Sequence, residues 1–296
     1  MRLNCLATGN NMTHTLTLTL QPSMQLMRLD RPVGTLLLLW PTLAALWLAA
    51  AGLPPWHLVL VFTLGTFLMR SAGCVINDFA DRDWDRHVER TAARPLTSGR
   101  LSDRQAMLLF AGLSLAAALL LLFLNPLARW LALAGFAIAV LYPFLKRWTY
   151  LPQVGLGAAF SWGLIMAYAS VQDRVPSEAW LLFLASLLWI VAYDTLYAMV
   201  DRDDDLQVGI KSTAILFGSA DRLIVGVLQL SAIITLLLLG QRLGLGGFYY
   251  LGILSCLGLF AYQQYLIRQR KPDACFKAFL NHVWVGSSLF AGVVLD

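Results

Sequence analysis

Charge is what this sequence has least of. Lys, Arg, Asp and Glu make up 13% of its 296 residues, where soluble domains carry about 25%. That shortage argues against a water-soluble domain, the more so because 58% of the residues are hydrophobic. Mean hydropathy is +0.66, and the apolar residues come in runs near the ~20 that cross a bilayer. Cysteine and histidine are sparse too, at four each. Cys5, Cys74, Cys256 and Cys275 form no CxxC pair, and the histidines have no ligand-like spacing. A structural zinc site and a disulfide framework are therefore not expected. Residues 1–23 lack an apolar core with a cleavage site, so they do not read as a signal peptide. They are expected to form a disordered tail, with 24–296 as a single membrane domain.

What is present is a set of nine apolar segments: 33–52, 56–77, 105–124, 127–145, 151–171, 178–200, 222–240, 246–266 and 277–295. Proline, glycine and charge punctuate them, as at Leu53-Pro54-Pro55, Asn125-Pro126 and Gly244 to Gly247. Ahead of the first, residues 24–32 alternate apolar side chains with Arg28, Asp30 and Arg31, the pattern of a short interfacial helix. Nine spans divide the 22 basic residues unevenly. One side of the membrane holds Arg129, Arg174 and Arg242, Arg70 lies within a span, and all the others fall on the opposite side. The positive-inside rule makes the rich side cytoplasmic. The fold is thus read as an all-α integral membrane protein, with its N-terminus cytoplasmic and its C-terminus outside. Topology alone explains the basic excess, so no nucleic-acid partner is expected.

Two clusters of acid stand on that cytoplasmic side. In the first, Asn77, Asp81 and Asp85 are spaced by four, one stripe of a helix. In the second, Asp194, Tyr197, Asp201 and Asp205 share one face in the same way. Like charges at this spacing repel, and a hard cation with oxygen ligands resolves the conflict. Two facing stripes of this kind can hold two Mg²⁺ ions with a diphosphate between them, since Mg²⁺ commonly joins a few carboxylates to substrate phosphates. Asp194 lies deeper, where an ionisable residue is costly and usually functional. Arg70, inside a span, and Lys211, in GIKST, are candidate cations for a diphosphate, with Arg28 a weaker one. DRDDD is not an EF-hand, because Leu206 and Ser212 stand where Gly and Glu are required. GIKST lacks the GxxxxGK frame of a P-loop. A cation-coupled transporter would carry its acids near the midplane, and here most of them lie at span ends.

At these residues the sequence resembles the membrane aromatic prenyltransferase superfamily. The signature NDxxDxxxD stands as Asn77 to Asp85, and an aspartate-rich DxxxD as Asp201 to Asp205. The resemblance extends to the 4-hydroxybenzoate polyprenyltransferases of ubiquinone biosynthesis through RLDRPVGTLLLLWPT (28–42), MRSAGCVINDFADRDWDRHVERTAARPL (69–96), LYPFLKRWTYLPQ (141–153), YDTLYAMVDRDDD (193–205) and GIKSTAILFG (209–218). It implies nine helices around a central cavity, open to the cytoplasm and laterally to lipid, in a bacterial inner membrane. It implies Mg²⁺, a polyprenyl diphosphate donor and 4-hydroxybenzoate as acceptor. By motif match, Asn77, Asp81, Asp85, Asp201 and Asp205 would hold the Mg²⁺–diphosphate, and Arg70, Lys211 and Arg28 would help neutralise it. Arg147, Lys146 and Tyr197 are candidates for the acceptor, with Arg147 preferred for the fit of its fork to a carboxylate. Asp194 and the released diphosphate are both candidate bases. Tyr193, Tyr197, Trp162, Tyr168 and Phe160 are candidates to line the cavity and steady a carbocation.

Overall fold

Pro, Ser and Asn set where the helices begin. Ser102 caps one through a box with Gln105, Asn125 caps the next ahead of Pro126, and Pro152 and Pro272 open two more. Gly244, with φ 65°, closes another in the left-handed conformation that glycine adopts without strain. In a computed structural model, which describes residues 20–87 and 91–296, the long helices are α1 (Val33–Ala50), α2 (Trp56–Asp85), α3 (Asp103–Leu120), α4 (Pro126–Leu141), α5 (Pro152–Gln172), α6 (Ser177–Ala198), α7 (Asp221–Leu243), α8 (Gly247–Leu266) and α9 (Pro272–Leu295). Among the described residues, nine helices are long and apolar enough to cross a membrane, and no strand is present.

The expected segments match these helices, with informative differences at the ends. α2 was expected to stop at 77 and runs on to Asp85. Its last turns therefore carry the acidic stripe as helix, beyond the length a bilayer needs. A six-residue 3₁₀ turn, Tyr142–Arg147, follows α4. The basic loop residues Lys146 and Arg147 thus lie on a rigid corner. Residues 20–26 are helical and 27–30 are turns, so the short helix expected over 24–32 ends sooner. Residues 1–19 of the expected tail lie outside the described residues.

α1, α5, α6 and α9 pack together, and α7 and α8 close against α6 and α9. α6 is the most buried span, whereas α3 and α4 bury the smallest share of their residues. Such helices face lipid on their outer sides, so packing and interhelical hydrogen bonds, not the hydrophobic effect, hold them. Gln229, Gln263, Gln264 and Asn281 form a chain of amide hydrogen bonds linking α7, α8 and α9. Ser161 and Ser186 join α5 to α6 at 2.9 Å. α8 and α9 approach most closely at Gly252 and Gly292, where an added Cβ would lie 2.9 Å from the Ser288 or Phe248 carbonyl oxygen.

Gly252→Leu is expected to cost about 1–3 kcal/mol by overpacking. It should lower the thermal unfolding midpoint in detergent. Gly258→Leu, where an added Cβ meets open space, should leave that midpoint unchanged.

A carboxylate cluster at the mouth of an apolar cavity

The end of α2 buries three carboxylates within two turns. Asp78, Asp81 and Asp85 are 2%, 4% and 7% exposed. Acids this close and this dry stay charged only beside cations, and the chain supplies them from three distant segments. Arg28 grips both oxygens of Asp78, at 2.8 and 2.9 Å. Arg94 bridges Asp78 at 3.0 Å and Asp85 at 2.7 Å. Lys146 pairs with Asp81 Oδ2, which also accepts from the Asn77 amide at 3.2 Å. Burial works against the charge on Arg94, but Asp78 and Asp85 outweigh it and hold the guanidinium above its ordinary value. One carboxylate oxygen stands apart: Asp81 Oδ1 is buried with no hydrogen-bond partner among the described residues.

The second acidic stretch begins where α6 ends. Asp201 is the N-cap of a short helix, Arg202–Val208, and Asp205 is buried one turn later. The Asp205 backbone N–H donates to the Asp201 carbonyl at 2.8 Å, which fixes the two on one side of the turn. Gly209, at φ 76°, ends the helix and turns the chain back. Lys211 then donates its backbone N–H to the Lys146 carbonyl at 3.4 Å. The corner that carries the partner of Asp81 is thereby tied to the segment leaving the second acidic stretch. Asp194, one turn and more inside α6, is in electrostatic range of both Arg70 and Lys146.

Beneath the acids lies a cavity of about 560 Å³ between α1, α2, α3, α4 and α5. Its wall is chiefly apolar, with Leu38, Val61, Phe62, Leu121, Leu133 and Phe136 among the lining residues. Polar groups on it include Thr42, Ser114, Tyr142 and Arg70. The Arg70 guanidinium lies over the Phe160 ring at 5.6 Å, and its buried Nε has no partner among the described residues. Gly34 leaves room for it, since a Cβ there would stand 2.3 Å from an Arg70 terminal nitrogen.

The structure thus brings together Asn77, Asp81, Asp85, Lys146, Asp194 and Arg70. Arg28 is placed otherwise than expected, locked on Asp78. Lys211 donates to the Trp148 carbonyl at 3.4 Å and lies over Tyr150. Arg147 is exposed, donates to the Ala80 carbonyl and stacks on Trp84 and Phe144. It stands off the cavity wall, because successive positions of a tight turn point to different sides and Lys146 takes the inward one. Phe160 and Trp162 line the cavity as expected. Tyr168 and Tyr193 are buried in the helix core instead, and Tyr197 packs on Phe276 and Phe279. Arg94 escaped the sequence reading: it is one basic residue among many on the rich side, and nothing local marks its partners. Among the described residues, no three acidic, His or Cys side chains converge as a ready metal cage.

A model of the UbiA prenyltransferase family matches residues 38–286. A 4-hydroxybenzoate octaprenyltransferase of Marinobacter nauticus is 58% identical over 273 residues, covering 92% of this chain and 93% of that protein. One of Aeromonas salmonicida is 57% identical, covering 92% and 94%. The structure of a UbiA homologue from Aeropyrum pernix K1 matches with a TM-score of 0.78 at 25% identity, over 88% of this chain and 97% of that one. An Archaeoglobus fulgidus homologue bound to GPP and Mg²⁺ matches with a TM-score of 0.67 at 17% identity, over 93% of this chain and 100% of that one.

Asp78→Asn should release Arg28 and leave Arg94 held by Asp85 alone. Breaking a buried pair of this kind costs roughly 3–5 kcal/mol. Amide hydrogen exchange should rise in residues 20–32 and 91–101 and stay slow in α6.

Proposed function

The chain belongs to the UbiA prenyltransferase family, and from that premise we propose that it transfers a polyprenyl group from a polyprenyl diphosphate to the ring carbon of 4-hydroxybenzoate ortho to the hydroxyl. Its likeness to 4-hydroxybenzoate octaprenyltransferases along nearly the whole length supports the substrates. The structural observation that carries the chemistry is the Asp81 oxygen, without a partner among the described residues, in a stripe of buried carboxylates on the same helix whose inner turns line an apolar cavity.

These residues suit Mg²⁺. All the donors are oxygens, as a hard cation requires, and Asp81 Oδ1 is a buried acceptor that lacks a donor among the described residues. Asn77, Asp81 and Asp85 from α2, with Asp201 and Asp205 after α6, would hold it together with the diphosphate. Bound there, the metal neutralises charge that develops on the leaving group. Arg70 and Lys146 are the cations on the cavity side, set for the two anionic groups that the substrates bring, a diphosphate and a carboxylate. Lys211 stands at the rim, and Arg28 acts through Asp78. The cavity would take the prenyl chain.

As the allylic C–O bond breaks, its electron pair leaves with the diphosphate. A ring π pair then forms the new C–C bond, and the ring proton departs to restore aromaticity. The Asp194 carboxylate, in electrostatic range of Arg70 and Lys146, would take that proton. Phe160 and Trp162 keep water from the carbocation and offer it their ring faces. Lipid-exposed α3 and α4 put the cavity beside the bilayer, where an insoluble polyprenyl tail resides. The distribution of Lys and Arg supports a site at the cytoplasmic face of a bacterial inner membrane.

Purified protein in lipid should prenylate 4-hydroxybenzoate only with Mg²⁺ present. Asp81→Ala should lower the rate about 100-fold or more, as when a single stabilising group is lost from an active site. Transfer to a different aromatic acceptor alone would refute the substrate assignment. Gly34→Val should also depress transfer, by pushing the Arg70 guanidinium aside, while the unfolding midpoint stays near that of the parent because a flexible side-chain end yields first.

A further inference from the structure

Asp221 is a buried carboxylate that the mechanism does not use. It opens α7 with 0% exposure and holds two guanidiniums, Arg202 at 2.8 Å and Arg270 at 2.8 Å. Arg202 also donates to the carbonyl oxygens of Ala214 and Gly218. Arg270, in the turn between α8 and α9, donates to the Ser219 carbonyl at 2.6 Å. A fully buried acid with two partners is costly to assemble. Its location gives it a task, because Arg202 stands inside the second acidic stretch, between Asp201 and Asp203.

By sequence, Arg202 is one more basic residue on the side rich in Lys and Arg. Its side chain instead spans to the segment before α7 and is spent there. Neighbouring positions on a helix differ by about 100°. Anchoring Arg202 on one side therefore sets the rotation of the turn that carries Asp201 and Asp205. We infer that Asp221 is a positioning residue: through Arg202 it orients the second acidic stretch so that Asp201 and Asp205 present their oxygens to the Mg²⁺–diphosphate. This rests on the function proposed above. Arg270 is the other arm of the same carboxylate and ties it to the α8–α9 turn, away from the acids.

The test is a Mg²⁺ titration, read both as prenyl transfer in lipid and as the heat of Mg²⁺ binding with a non-reacting prenyl thiodiphosphate, for the parent, Asp221→Asn, Arg202→Lys and Arg270→Gln, each variant checked for monodisperse elution. Asp221→Asn and Arg202→Lys should raise the half-saturating Mg²⁺ concentration and the KM for polyprenyl diphosphate roughly tenfold or more, the usual scale for a residue that orients a metal's ligands. The KM for 4-hydroxybenzoate should not move, and Arg270→Gln should retain the parent's Mg²⁺ requirement. Should Asp221→Asn fail to fold, Arg202→Lys, which keeps the charge and loses the fork, decides alone. An unchanged Mg²⁺ requirement in folded Arg202→Lys overturns the inference. So does an equal rise in Arg270→Gln, which would mark the cluster as a general brace of the fold. A parent protein with no Mg²⁺-dependent transfer overturns the site reading itself, and the inference with it.

Discussion

Three carboxylates on two turns of one helix end cannot be dry and unpaired, and that constraint shapes the acidic end of this protein. Asp78, Asp81 and Asp85 repel one another at the spacing that also makes them useful. The chain meets the cost with Arg28 from before α1, Arg94 from the α2–α3 loop and Lys146 from the corner after α4. Each of these segments is brought to one place because a charge waits for it there. The acids thus organise the mouth of the cavity as well as equip it.

Two designs meet in the bundle. Within the membrane, close backbone contact at Gly252 and Gly292 and the amide chain through Gln229 and Gln263 hold α7, α8 and α9 together. These contacts are short-ranged and largely uncharged, as lipid demands. At the acidic end of the bundle, ion pairs over long sequence separations join the loops. The cavity lies where the two designs adjoin, with an apolar wall below and carboxylates above. An amphipathic substrate with a charged head and an insoluble tail fits that boundary.

The nine spans were legible because a membrane helix announces itself through length and apolarity, and the acidic stripe because four-residue spacing survives in any helix. The extension of α2 to Asp85 follows from both signals together. What sequence did not disclose was pairing. Arg94 and Asp221 look like ordinary loop charges, and their partners are set by the fold. Arg147 was preferred to Lys146 for the chemistry of its fork, yet a 3₁₀ turn sends one outward and the other to Asp81. Arg28, read as a substrate cation, is taken by Asp78. Residue type and spacing showed which chemistry was available; the direction of each side chain decided which groups meet.

The most direct test is a structure determined with Mg²⁺ and a non-reacting prenyl thiodiphosphate. The account predicts the diphosphate between Asn77, Asp81 and Asp85 on one side and Asp201 and Asp205 on the other, with metal at Asp81 Oδ1 and the prenyl chain in the cavity between α1 and α5. A diphosphate bound on the outer surface beside Arg147, with no metal at Asp81 Oδ1, would contradict it.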